Sequence, residues 1–386
     1  MFDERRRQMK RGDFLRAAQA ALLLCIHLTG GVSAQSGDPR DPVWGRIILI
    51  KPEGSLKVRQ STRTAFVNAT EGMLVRKGYL LSLSPTARAV IICGDGKKRE
   101  LRPGPQGCPC TRPCTPEVCG IRYDGSTIGA TRGPDTDTGA FPVVISPRKT
   151  MMRSLRPTIR WTPVVGAKET TTYNVTLYGE GMKIIWSRDV VSQTRLLYPD
   201  DEPDLRPGQT YKVVVTSEGS SSQQDHTPGL GFTTLTAEQA QRLADEETKI
   251  KRLELPDPQT RFLIANLYAA RELYSEAIEQ IEALSTTMKE PALASALGDL
   301  YAATGLNRES ERKYLTALSL TSATDLDNQG LIERNLARAY ENLGIIDRAL
   351  MQLREAIKTY RRLNAGRMVK ALLNEERRLK KRQDRL

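Results

Sequence analysis

In residues 258–358 the apolar positions recur with a helical period, and one pattern is written three times. The first copy reads Ile264-Ala265-Asn266-Leu267-Tyr268, followed by Ala277, Ile281 and Leu284. The second reads Leu297-Gly298-Asp299-Leu300-Tyr301, followed by Ser310, Tyr314 and Ala317; the third reads Leu336-Ala337-Arg338-Ala339-Tyr340, followed by Ala349, Leu353 and Ala356. Each copy predicts a helix pair: small residues allow the two helices to approach closely, and the Tyr of the first helix fills the gap between them. Upstream the period shortens to that of strands. Ile47-Ile48-Leu49-Ile50, Leu56-Lys57-Val58, Leu80-Leu81-Ser82-Leu83 and Ala89-Val90-Ile91-Ile92 form one set. Pro157-Thr158-Ile159-Arg160-Trp161, Tyr173-Asn174-Val175-Thr176-Leu177-Tyr178, Lys183-Ile184-Ile185-Trp186 and Tyr211-Lys212-Val213-Val214-Val215 form a second. Between strands and repeats, Thr236-Ala237-Glu238-Gln239 opens a connecting helix over residues 236–254 with a capping box, ended by Pro256 and Pro258.

The interval from Ala265 to Gly298 is 33 residues and that from Gly298 to Ala337 is 39, against about 34 in a tetratricopeptide array. The excess fits in the polar stretch Thr321-Ser322-Ala323-Thr324-Asp325. Residues 258–366 therefore resemble three tetratricopeptide (TPR) repeats, with residues 367–386 as a capping helix and basic tail. A single hairpin of this kind cannot bury its apolar stripe, so three stacked copies are about the minimum for stability. The resemblance implies a binding scaffold whose first helices line a concave surface. It puts Phe262, Asn266, Ser295, Asp299, Arg334, Arg338 and Asn342 on that surface, with a peptide or helix of a protein partner as the occupant.

Two shorter resemblances precede it. Gly72, Leu74, Gly78 and Leu80, then Ala87-Arg88-Ala89-Val90, Asp95-Gly96 and Leu101-Arg102-Pro103-Gly104, make residues 42–104 look like a FecR-type β domain, which implies a module of secreted or envelope proteins without catalytic residues. Leu205-Arg206-Pro207-Gly208-Gln209-Thr210-Tyr211 resembles the turn-and-tyrosine entry to a late strand of fibronectin type III domains, with Trp161 as a candidate core residue of a sandwich over residues 145–235. The expected fold class is multidomain: two small all-β domains followed by an all-α TPR solenoid.

At 386 residues and 39% hydrophobic, the chain can bury several cores. Its net charge of +13 is unevenly placed: residues 1–34 carry +3 and residues 361–386 carry +7. Residues 1–34 read as a cleaved export signal, with a basic opening, an apolar run over residues 17–28 and Val32-Ser33-Ala34 before the cut. The expected location is the periplasm or cell envelope of a bacterium. In the tail, Arg377-Arg378-Leu379-Lys380-Lys381-Arg382 is either a solvated helix face or an attractor for an anionic envelope surface. Nucleic acid fits poorly, because no aromatic follows Tyr360 to stack on bases.

Residues 105–144 form a Pro- and Cys-rich linker. Five prolines between Leu101 and Cys119 predict neither helix nor stable strand. Cys108, Cys110, Cys114 and Cys119, with Cys93 upstream, leave three readings open: disulfides, a metal site or reactive thiols. Their spacing matches zinc knuckles poorly, no His is near, and an exported chain favours oxidation.

No catalytic constellation is visible. Of two His, His27 lies in the expected signal and His226 has no partner motif; neither a nucleophile elbow nor a phosphate loop nor a dinucleotide fingerprint occurs. No cofactor or metal is expected. The leading expectation is a non-catalytic exported adaptor; the alternative is a redox- or metal-responsive envelope signalling protein whose sensor is the loop from Cys108 to Cys119.

Overall fold

The strands begin at once in the computed structural model, which describes residues 43–59, 65–119 and 139–385; the expected export signal lies outside them. Strands β1 (Val43–Lys51), β2 (Leu56–Arg59), β3 (Val67–Asn68), β4 (Leu74–Arg76), β5 (Leu80–Leu83), β6 (Arg88–Cys93), β7 (Lys98–Glu100) and β8 (Gly104–Gly107) form two four-stranded sheets, ordered β4-β1-β6-β7 and β3-β2-β5-β8. The run Ile47-Ile48-Leu49-Ile50 is too apolar for a strand with one wet face, and a bulge explains it. The β1–β6 register shifts between Ile47 and Leu49. Ile47 and Ile50 therefore enter the core between the sheets, while Ile48 and Leu49 turn outward with Val90 and Ile92 to pack on Leu263 of the helical region.

The prolines of the linker do not exclude regular structure. Pro105 sits in β8, an edge strand where a missing N–H is tolerated, and Pro116 starts the one-turn helix α1 (Pro116–Cys119), where its N–H would be unused.

The second β region contains β9 (Val144–Ser146), β10 (Thr150–Met152), β11 (Ile159–Trp161), β12 (Thr172–Tyr178), β13 (Ile184–Val191), β14 (Arg195–Leu196), β15 (Thr210–Ser217), β16 (Ser220–Ser221) and β17 (Phe232–Thr234). One sheet is ordered β10-β17-β15-β12-β13, with β16 beside β15, and the other β14-β11-β9. Trp161, Tyr173, Leu177, Trp186 and Phe232 fill the space between them. The Tyr211 hydroxyl accepts the Arg206 backbone N–H at 2.9 Å, tying the Pro207-Gly208 turn to the start of β15.

After this N-terminal β-sheet region comes a C-terminal run of eight helices among the described residues: α2 (Ala237–Lys251), α3 (Asp257–Ala270), α4 (Tyr274–Thr287), α5 (Pro291–Ala303), α6 (Asn307–Leu320), α7 (Leu326–Asn342), α8 (Ile346–Arg362) and α9 (Gly366–Gln383). Helix α2 starts on a capping box in which Thr236 Oγ1 accepts the Gln239 N–H at 3.2 Å and Gln239 Oε1 accepts the Thr236 N–H at 2.9 Å. From α3 onward each helix packs on the next. The contact between α5 and α6 shows why the small residue is needed: a Cβ on Gly298 would lie 2.5 Å from the Tyr314 ring. Ser310 adds a buried hydrogen bond from its hydroxyl to the Gly298 carbonyl at 2.8 Å.

The described residues from Val43 onward belong to one compact unit, in which both β regions pack on the helices. The second is held by Arg148, 1% exposed, whose guanidinium donates to Asp225 at 2.5 Å, to Thr227 at 2.9 Å and to the Thr304 carbonyl at 2.8 Å. The first sits against α3, α5 and the start of α7: Gln259 donates to Glu71 at 2.8 Å, and Tyr79 donates to Asp327.

Candidate partner-binding surface

Helices α3, α5 and α7 carry the residues that the repeat pattern assigns to a concave face, and the structure sorts them into four sets. Phe262, on α3, is buried, with the Arg46 guanidinium of β1 5.0 Å above its ring. Asn266, Ser295 and Asp299 come together in a cleft that Arg46, Gly72 and Leu74 of the first β region close from the other side. Arg334 and Arg338 turn toward the last helix, where Glu375 accepts from them at 3.4 and 3.1 Å. Asn342 stands apart, donating to Asn307 at 3.2 Å.

The approach of the β region is close. Gly72, with φ of +82°, lies so near α5 that a Cβ there would fall 2.5 Å from the Ala292 Cβ. Glycine is required at this point twice over, for its positive φ and for its lack of a side chain. The helix face that the repeat pattern picks out is therefore covered at its α3 end; Ser295, Asp299, Arg338 and Asn342 on it are half-buried and Arg334 is buried. Arg46 and Gly72 were not foreseeable as cleft residues, since no local pattern in a strand or turn reports which distant helix it will meet.

Polar pairing within the face is incomplete. Asp299 Oδ1 accepts from the Tyr314 hydroxyl at 2.6 Å and from Asn335 Nδ2 at 3.1 Å. Asn266 Nδ2, Arg334 Nε and Asn335 Oδ1 are buried without a hydrogen-bond partner, in residues that are 5%, 7% and 1% exposed. Away from the cleft lining, Glu282 on α4 accepts from Tyr301 at 2.6 Å and from Arg160 at 2.8 Å. Burial pushes that carboxyl up, but the Arg160 and Tyr301 contacts outweigh it and hold it below the usual range. Burial pushes the Glu276 carboxyl, at the start of α4, up to about 7.

The cysteines divide between bonded and free. Cys93, at the end of β6, is bridged to Cys110, and both sulfurs sit in the core of the first β region. Cys114 is also disulfide-bonded. Cys108 is a free, half-buried thiol; burial pushes its pKa up despite a hydrogen bond from the Cys110 backbone. The Cys119 side chain lies outside the described residues. Among the described residues no group of three His, Cys, Asp or Glu is arranged to hold a metal, and no helix is long and apolar enough to cross a membrane. No protein-family description and no curated protein matches this chain.

Proposed function

We propose that this protein is a non-catalytic, exported adaptor that binds a protein partner in the cell envelope through the inner face of its helical region. In this reading α3 to α8 are three TPR-like hairpins of a short solenoid, α9 is their cap, and the FecR-like and fibronectin type III-like regions brace them. The observation that carries it is the cleft in which Asn266, Ser295 and Asp299 of α3 and α5 meet Arg46, Gly72 and Leu74 of the first β region. Its lining mixes amide, hydroxyl and carboxylate groups with apolar side chains, which suits a peptide segment whose backbone carries a donor and an acceptor on every residue. Because Arg46 and Gly72 cover the α3 end, the partner contributes one short segment rather than wrapping the array. Export is supported by the basic and apolar pattern of residues 1–34.

The test blocks the face at two of its positions, Ser295 and Asn342. Ser295→Trp and Asn342→Trp, each in the full chain, should abolish recovery of a partner that the wild-type chain and an outer-face Met351→Trp variant both retain. Equal recovery by all of them would refute the reading.

A second reading, a redox- or metal-responsive envelope signalling protein, rests on free Cys108 lying two residues from the bridged Cys110. It ranks lower because burial keeps the Cys108 sulfur protonated, and the thiolate is the nucleophile.

A further inference from the structure

Helix α9 is held on the rest of the array by Met368, Leu372 and Leu379, all at most 2% exposed. Both of its glutamates are turned to basic groups: Glu375 to Arg334 and Arg338, Glu376 to Arg354 and Lys380. Arg378 and Arg382 are in turn paired with Glu341 of α7. What remains is a second set of basic residues on the opposite side. At about 100° per residue, Arg367, Lys370, Asn374, Arg377 and Lys381 fall within about 80° of arc, in a straight row about 21 Å long. All five are exposed, and Arg385 follows just past the helix end. None of these cations is ion-paired to a carboxylate among the described residues; Arg377 donates only to Asn374 and the Leu373 carbonyl of its own helix. Exposed Arg361 and Arg362, at the end of α8, precede the row.

We infer that this row docks the protein on the anionic headgroups of a phospholipid bilayer. The row contains no apolar or aromatic side chain to insert, so it recognises charge density rather than shape. It is straight and mounted on a packed helix. A planar anionic surface can meet every cation at once without ordering the protein, whereas a flexible acidic chain would lose conformational entropy in lining up with it. Attraction of this type decays over a Debye length, about 10 Å at 0.1 M salt. The inference is independent of what the inner face of the helices binds.

The experiment is sedimentation of the full chain with phosphatidylcholine vesicles made with and without phosphatidylglycerol. Binding is expected only with phosphatidylglycerol present, and is expected to weaken steeply with salt. The quadruple variant Arg367→Gln, Lys370→Gln, Arg377→Gln, Lys381→Gln should lose about fivefold per cation, several hundredfold in all. A control that removes four exposed lysines elsewhere, Lys57→Gln, Lys97→Gln, Lys168→Gln and Lys183→Gln, should lose far less. Circular dichroism establishes that both variants keep their helices. Equal losses in the two variants, binding to the neutral vesicles, or displacement by poly-glutamate or DNA at charge concentrations that leave vesicle binding of a free basic peptide intact would each overturn the inference.

Discussion

The guanidinium of Arg46 lies 5.0 Å over the ring of Phe262, so a strand of the first β region shields a helix position that the repeat pattern assigns to a binding face. With Gly72 set against Ala292, this contact makes the β region part of the cleft around Asn266 and Asp299. Arg46→Ala should therefore expose Phe262 and enlarge the cleft while leaving the helices folded. The expected readout is faster hydrogen exchange in α3 than in α7, with little change in far-ultraviolet circular dichroism.

Gly298 faces Tyr314 with no room for a side chain. Gly298→Ala improves helix propensity by about 1 kcal/mol, but overpacking costs about 1–3 kcal/mol. A small net loss of stability is expected in chemical denaturation. Tyr314→Ala is costly by itself because it leaves a cavity, yet in its presence Gly298→Ala should become stabilising. That change of sign is the signature of the contact.

Arg148 and Asp225 form a pair that is almost wholly enclosed between the second β region and the turn after α5. Arg148→Met leaves the Asp225 carboxylate buried without its cation, and should cost about 3–5 kcal/mol. Burial opposes ionisation of Asp225, but the neighbouring Arg148 outweighs it and lowers its pKa. Double replacement with apolar residues should recover much of the loss, measured by urea denaturation.

Glu276 ionises near 7 in the folded chain, against 4.5 as its ordinary value, because burial penalises the charged form. The folded state thus binds this proton more tightly than the unfolded state does. Stability should fall as pH rises through the window from about 4.5 to 7 and level off above it, a change of about 1–3 kcal/mol. Glu276→Gln keeps an oxygen to accept the Arg153 N–H, bonded at 2.7 Å, and should flatten this part of the profile.

The Cys93–Cys110 bridge closes a loop with a sequence separation of 17. Replacing both by Ala should lower stability by about 3 kcal/mol. Reduction of the wild-type chain also breaks the bridge at Cys114 and should give a larger loss.

Legibility in the sequence followed the range of the interactions. The helix pairs were readable because Gly298 and Tyr314, or Ala337 and Tyr340, are brought together by helical period and a short turn. The capping box at Thr236 and Gln239 was readable for the same reason. Seating of the β regions was not, since Arg46 meets Phe262 and Arg148 meets Thr304 across long stretches of chain, and no local period encodes such contacts. Ile47 to Ile50 gave a partial signal: four consecutive apolar residues are too many for a strand with one wet face. Pro105 and Pro116 misled because their cost depends on an edge and a helix start that only the fold supplies.

The adaptor reading is tested most directly by a photo-crosslinking residue placed at Ser295, on the inner face, and at Met351, on the exposed side of α8. In the producing cell, irradiation should yield a discrete crosslinked protein from position 295 and none from position 351. The same adduct from both positions, or adducts from 351 alone, would contradict it.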